Sequence, residues 1–436
     1  MNARSAQLKW VQALLLVGAG VLGCGWGPAA LAIDTPPAVE HVLHISVDGL
    51  GGVYLRDYLD STPESYPNFM RLRNEGASTF EARCDYFNSV TMPNHTSMLT
   101  GRPLSQPAGW PDTAAHGITF DSDNGGTVHD SGNPDAPYKA STLDVVHDRG
   151  LSTAFFASKT KFAFFVRSYD AVHAAPDGVD PDNGTNKIDF AMLNAGDSAA
   201  LVDVLAAALT NAPWSYMFLH FTDPDSAGHN YNWGSPEYAD AVGHVDQQLG
   251  RLLAAIDANP ALSNRIAVVL TADHGGGGSS PDSHSTATRY ANYAIPFFVR
   301  GPGIPAGANL YDLFANRGDP GTNRPDYNAP VQPLRNGDSG NLALALLGLP
   351  PIPGSSLQPV FGVPPVALAI EPAADGPAVT WPVNTNGFGL ETASVLGPVP
   401  DWHPVTDGIL TNDGRHRFAP PGPPEPALRF FRLRRP

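Results

Sequence analysis

Four short apolar runs constrain this chain more than any other feature: His41–Val47, Thr153–Ala157, Tyr216–Phe221 and Ile266–Thr271. Each is five to seven residues long, contains neither Gly nor Pro, and is bounded by turn formers. That is the signature of strands buried on both faces of a parallel sheet. Between the last two lies a stretch, Pro236–Ile256, in which Val242, Val245, Leu249, Leu252, Leu253 and Ile256 recur at three- and four-residue spacing. This predicts a helix with Pro236 in its first turn, where a missing N–H costs nothing. Pro67–Glu75 reads as another helix, stopped by Gly76. Strands alternating with helices imply an α/β body built on a mostly parallel sheet flanked by helices. The segments Ser105–Pro137 and Ala171–Gly196 are rich in Asp, Asn, Gly and Pro, and read as cap-like excursions over one end of the sheet, not as sheet elements.

Composition decides whether such a body can fold. Gly (44) and Pro (43) together make up about 20% of 436 residues, below the roughly 25–30% of low-complexity chains, and 42% of the residues are hydrophobic. The first thirty-two residues have the form of a secretory signal, with Arg4 and Lys9 preceding an apolar stretch and Ala30-Leu31-Ala32 at its end. Export to the periplasm or beyond follows, with no membrane-spanning segment left after cleavage; Cys24 offers lipid attachment as the lesser alternative. Removing residues 1–32 takes the net charge from −16 to −18 and leaves Cys84 as the single cysteine. An internal disulfide is then impossible, and so negative a chain is a poor partner for nucleic acid or anionic lipid. The catalytic body is expected over residues 40–355, followed by a Pro-rich linker at 356–365. Residues 366–436 carry short β-type runs (Val366–Ile370, Ala378–Trp381, Phe388–Glu391, Phe430–Leu433) and read as a small sandwich-like accessory module. The sequence specifies no oligomeric state.

Chemistry-bearing residues follow the apolar runs, where the carboxyl ends of parallel strands place ligand sites. The first run ends in Asp48-Gly49, the third leads into Asp225-Ser226-Ala227-Gly228-His229, the fourth into Asp273-His274-Gly275, and His284 comes shortly after. Three Asp and three His without Cys suit a pair of divalent ions, most simply zinc, and such a pair can clamp the attacking and leaving oxygens of an in-line displacement. Thr91 stands two residues before Pro93 at the start of a predicted helix, where free N–H groups favour an anion.

The ordered set Asp48, Thr91-Met92-Pro93-Asn94-His95, Pro224-Asp225-Ser226-Ala227-Gly228-His229 and Asp273-His274-Gly275, with a late His, resembles the alkaline phosphatase superfamily, in particular its nucleotide pyrophosphatase/phosphodiesterase branch. The resemblance covers about residues 40 to 355, including Asn292-Tyr293-Ala294-Ile295-Pro296-Phe297 and Arg335-Asn336-Gly337-Asp338. It implies that Asp225, His229 and His284 hold one metal ion and Asp48, Asp273 and His274 the other, with Thr91 bound to the second ion as the nucleophile. The implied activity is hydrolysis of small phosphorylated substrates through a phospho-threonine; a phosphomonoesterase is the alternative, and a catalytically silent surface-binding protein the rival from another class. Relatives use an Asn after a His-Gly-Ile-type turn to hold a phosphate oxygen. Here Asp121 follows His116-Gly117-Ile118-Thr119-Phe120, which leaves Asn124 or an altered Asp121 for that task. Ser158-Lys159-Thr160-Lys161 resembles the Lys-x-Arg pair with which some monoesterases hold phosphate, whereas Trp110, Phe120, Tyr231 and Trp233 offer an apolar pocket for the second group of a diester. A formylglycine sulfatase is disfavoured, because Thr91 and His95 stand where its modified residue and motif would be.

Overall fold

The computed structural model describes residues 39–176, 185–262, 264–361, 368–371, 378–382, 389–394, 401–412, 415–420 and 429–434. The signal reading of residues 1–32, Cys24 and positions 362–365 of the Pro-rich run fall outside the described residues.

The four apolar runs form strands with the expected bounds, and four more complete a sheet: β1 (His41–Val47), β2 (Ala77–Arg83), β3 (Thr153–Ala157), β4 (Phe190–Leu193), β5 (Tyr216–Phe221), β6 (Ile266–Thr271), β7 (Ala294–Arg300) and β8 (Ala308–Asn309). Their order across the sheet is β4-β3-β5-β1-β6-β7-β2-β8. β1 pairs in parallel with β5 on one side (Val47 beside Phe221) and β6 on the other (Ser46 beside Thr271). β7 runs antiparallel to both its neighbours. β1, β3, β5 and β6 are buried along nearly their whole length, so the chain needs helices on both faces, and it supplies them. The helix Pro236–Ala258 buries Val242, Val245, Leu249, Leu252, Leu253 and Ile256, the stripe read from the sequence.

One sheet element corrects the sequence reading, and another goes beyond it. β4 lies inside the segment Ala171–Gly196 that had been expected to hold no strand; its residues are mostly half-buried, because it is an edge strand with only β3 beside it, and an edge does not demand a continuous apolar run. β7 hides behind Pro296, a residue that normally argues against an inner strand. Pro296 falls opposite a shift in the pairing of β2, between Thr79 and Ala82, where a ladder N–H is not required.

Beyond residue 368 the described strands form two small antiparallel sheets. One contains Ala369–Glu371, Ala378–Pro382, Ile409–Asn412 and Arg415–Phe418, the other Gly389–Ala393, His403–Pro404 and Phe430–Arg434. Val379, Trp381 and Phe418 of the first join Leu390 of the second in an apolar cluster of their own, the arrangement of a small sandwich core. The preceding run is anchored to the body as far as Phe361. Leu357 is 4% exposed and donates its N–H to Gly101 O at 2.9 Å, Val360 N–H reaches Asn316 Oδ1 at 2.9 Å, and Phe361 packs on Phe314. A chain truncated after Phe361 is expected to unfold as cooperatively as the full body, whereas truncation after Gly354 exposes the Leu357 site and costs about 2 kcal/mol. Equal melting temperatures for the two shortened chains would show that residues 355–361 contribute nothing.

Inside β1, His44 is fully buried between Tyr216 and Phe218, with Nδ1 on Tyr216 Oη at 2.8 Å and Nε2 without a partner. Burial pushes its pKa down to about 3. The unfolded chain, with an ordinary imidazole near 6.5, therefore binds a proton that the folded protein refuses. This contribution to stability is complete above about pH 6.5 and is lost as pH falls toward 3. Urea unfolding across that range should show His44→Leu with a pH slope shallower by up to about one proton; an unchanged slope would place the acid sensitivity elsewhere.

Candidate functional site

Because β5, β1 and β6 are neighbours, the residues that follow them meet at one edge of the sheet. Asp48 ends β1, Asp225 lies in the first turn of the helix Asp223–Tyr231 that follows β5, and Asp273 and His274 follow β6. All four are buried. The close approach depends on Gly49, whose φ of +70° turns the chain sharply and whose missing side chain admits Asp225: a Cβ there would lie 2.8 Å from Asp225 Cα. Trp233 Nε1 and Tyr238 Oη each donate to Gly49 O at 2.9 Å and clamp that turn. Trp233 is thus a buried wall that also stacks edge-on to His229. The other aromatic residues expected to line a pocket are packed elsewhere or exposed: Phe120 against Phe164, Trp110 against Tyr327, and Tyr231 55% exposed.

Two groups of side chains present ligand atoms to common points. Asp48, Asp273 and His274 converge, with His274 Nε2 3.5 Å from Asp48 Oδ1 and 3.2 Å from Asp273 Oδ2. Asp225 Oδ1 lies 3.5 Å from His229 Nε2 and 3.7 Å from His284 Nε2, and the two imidazole nitrogens are 3.1 Å apart. His274 is also close enough to share a site with Asp225 and His284. Ligand atoms about 2.0–2.1 Å from a tetrahedral zinc lie about 3.3 Å apart, so both spacings fit such an ion. Each imidazole is oriented in the same way: Nδ1 of His274, His229 and His284 donates to the carbonyls of Gly275 (2.8 Å), Asp282 (2.9 Å) and Ser89 (2.5 Å), which leaves every Nε2 lone pair facing the cluster. Asp48 Oδ1, Asp225 Oδ1, Asp273 Oδ2 and His274 Nε2 are buried without a hydrogen-bond partner. Buried polar atoms are rarely orphaned, and here the orphans are the atoms that face the two points. The donor set therefore fits two divalent cations.

The remaining carboxylate oxygens are occupied. Lys159, just past β3, donates from Nζ to Asp48 Oδ2 at 2.7 Å and to Asp225 Oδ2 at 2.6 Å. His220 Nε2, 3.0 Å away, donates to the same oxygen of Asp48. Burial alone would raise the Asp48 pKa, but Lys159, His220 and His274 hold it well below the usual carboxylate range. Burial, then Asp48 and Asp225, push Asp273 well above it. Burial works against the Lys159 ammonium, yet Asp48 and Asp225 hold its proton more tightly than usual. Lys161 pairs with Asp121 at 2.9 Å, and the same Oδ1 of Asp121 accepts the Met92 N–H at 2.9 Å. Asn124 is placed elsewhere, bonding Ser131 and Gly126.

Thr91 opens the helix Thr91–Thr100 and is 1% exposed. His95, one turn on, donates from Nδ1 to Thr91 O at 2.8 Å and receives the Ser46 hydroxyl at Nε2, also at 2.8 Å. Asn336 Nδ2 joins Asn94 Oδ1 to Asp273 O at 2.9 Å each, tying this helix to the β6 loop. His220, Ser46 and Ser89 carry these supports and were not singled out from the sequence. A polar residue inside a wholly buried strand, as His220 and Ser46 are, is the signal that marks two of them.

Lys159 is the one cation bonded to carboxylates of both groups among the described residues, and its loss leaves two buried charges without a counter-ion. In the presence of chelator, Lys159→Met is expected to lose roughly 3 kcal/mol of unfolding free energy, and adding Asp225→Asn should recover part of that loss. Unfolding in urea of the single and double variants decides this; a stability equal to wild type in Lys159→Met would remove the pairing as a stabilising contact.

A family model described as type I phosphodiesterase/nucleotide pyrophosphatase matches residues 42–295. The human ectonucleotide pyrophosphatase/phosphodiesterase family member 7 is 35% identical over 82 residues, 19% of this chain and 18% of the relative, and the rat protein of that name is 34% identical over 82 residues with the same shares. This chain thus spans less than a fifth of the length of the curated relatives it matches. Among solved structures, murine ectonucleotide pyrophosphatase/phosphodiesterase 5, an inactive form in complex with AMP, has a TM-score of 0.49 at 13% identity, covering 72% of this chain and 96% of that one. A protein of the alkaline phosphatase superfamily from Vibrio parahaemolyticus has a TM-score of 0.44 at 14% identity, covering 80% and 76%. The matched family model spans more than half of this sequence and every residue of the two ligand groups, and the chain belongs to the type I phosphodiesterase/nucleotide pyrophosphatase family.

Proposed function

We propose that this protein is an exported, metal-dependent phosphodiesterase that uses Thr91 as its nucleophile. The observation that carries the reading is the set of four orphaned ligand atoms facing two points at the edge of the sheet where the Thr91 helix begins. Asp225, His229 and His284 would hold one zinc ion and Asp48, Asp273, His274 and Thr91 the other; when bound, the pair supplies Lewis-acid stabilisation of the attacking and leaving oxygens.

The Thr91 hydroxyl gives up its proton and its oxygen bonds to phosphorus as the bond to the first alcohol breaks; that alcohol leaves protonated. Water then attacks the phospho-threonine, releasing the phosphate product and restoring the hydroxyl. His95 and Asn94 hold the first helical turn in register with Asp273 during both steps. The helix N-terminus favours an anion, and Asp121 already sits on Met92 N–H with Lys161 behind it. A phosphate oxygen entering there meets a carboxylate. The dianion of a monoester suffers more from that than the monoanion of a diester, which supports the diester reading. Residues 366–436 are assigned as an accessory module, and no helix among the described residues is long and apolar enough to cross a membrane.

Mass spectrometry of the purified full chain should find about two zinc ions per molecule. Thr91→Ala should lower kcat on an aryl phosphodiester at least about a hundredfold while leaving most of the zinc in place. Retained turnover would exclude the covalent step, and a chain purified without chelator and free of metal would remove the basis of the reading.

A further inference from the structure

Beside the ligand groups, on the β3 side, the sheet edge opens into a cavity of about 380 Å³. Its walls come from the turn after β3 (Ser158, Lys159, Thr160, Lys161) and from Thr222 and Ser226 around the start of the helix after β5; Ala195 and Gly196 close it. Lys159 is a shared wall: its stem lines the cavity and its ammonium bonds Asp48 and Asp225. Lys161 marks the other limit, bonding Asp121, which in turn holds the Met92 N–H. The cavity therefore adjoins the ligand groups through Lys159 and is linked, through Lys161 and then Asp121, to the helix start that bears Thr91.

Four hydroxyls and two ammonium groups line this space, with no aromatic ring and no branched aliphatic side chain. Such walls offer a nucleobase or an aryl group nothing to stack on. They also repel a quaternary ammonium, which needs an aromatic cage and finds two cations instead. The cations are themselves neutralised by Asp48, Asp225 and Asp121, so a second anionic group gains little. What the walls do match is a neutral group with several hydroxyls, since Thr222 Oγ1 and Ser226 Oγ, 3.2 Å apart, and the exposed Thr160 both donate and accept.

We infer that this cavity is the subsite for one alcohol of the phosphodiester, and that this alcohol is a small polyol of glycerol or monosaccharide size. The inference rests on the hydrolase reading for its phosphoryl position and adds the class of substrate.

The test uses the zinc-loaded full chain and two para-nitrophenyl phosphodiesters that differ only in the second alcohol, glycerol or phenol. The glycerol ester should have the higher kcat/KM by at least about tenfold. Ala195→Trp, which fills the cavity from an exposed position in neither ligand group, should lower the glycerol ester at least about tenfold and the phenyl ester less than about twofold. If that variant folds poorly, Thr160→Leu at the exposed rim makes the same distinction. A preference for the phenyl ester, or equal losses on both esters, overturns the inference. Calorimetry of glycerol phosphate and phenyl phosphate on zinc-loaded Thr91→Ala protein separates it from the parent reading. Absent turnover in wild type with glycerol phosphate bound at least about tenfold more tightly than phenyl phosphate, and that preference lost in Ala195→Trp, overturns the hydrolase and keeps the polyol site. Equal affinities overturn the polyol site whatever the turnover.

Discussion

Three carboxylates buried at the end of three adjacent strands are the constraint around which this protein is organised. Asp48, Asp225 and Asp273 are almost wholly removed from water, and isolated buried charges are among the most costly features a fold can carry. The structure answers with division of labour between the two oxygens of a carboxylate. Oδ2 of Asp48 and Asp225 are tied to Lys159, and Oδ1 of each is left facing a cluster of imidazole nitrogens. Asp273 has no cation of its own, and burial with Asp48 and Asp225 beside it pushes its pKa well above the usual carboxylate range. One ammonium against three carboxylates leaves room for further positive charge, which is the electrostatic meaning of a site suited to two divalent cations.

The surrounding fold serves that cluster at several removes. Gly49 permits a backbone approach that no other residue would, Trp233 and Tyr238 fix the turn it makes, and three backbone carbonyls fix three imidazole rings. Such supports rigidify the side chains of the cluster, which would reduce the ordering cost of binding a cation there. The same economy reaches the helix that opens with Thr91, where His95 bonds back to Thr91 O and Asn336 spans from Asn94 to the β6 loop. A substitution at Asn336 or Ser46 would thus be felt at the cluster although neither residue faces it.

The resemblance read from the ordered Asp, Thr and His segments and the family match of residues 42–295 agree, and the segments from Asp48 to His284 all lie within the matched residues. What they leave to geometry is the traffic around the ligands. Lys159 and Lys161, two residues apart and alike in sequence, end in different circumstances: one spans both ligand groups, the other holds Asp121 against a helix N-terminus. Trp233, which in sequence is a loop aromatic available to a substrate, is a structural wall at 5% exposure.

By itself the sequence determined the inner strands, the long helix and the order of the acids and imidazoles that follow the strands, since each rests on local information: an unbroken apolar run, a three-to-four spacing, an acid or imidazole placed just after a strand. β4 and β7 were decided by tertiary structure, one because an edge strand needs no apolar run and the other because a bulge in β2 excuses Pro296. The same holds for the site. That Asp48, Asp225 and Asp273 share a cluster follows from the strand order β5-β1-β6, which no local pattern encodes. Which oxygen of each is neutralised, and which is left for a cation, depends on where Lys159 and His220 arrive from 111 and 172 residues away, because charges separated along the chain interact only once folding has removed the water between them.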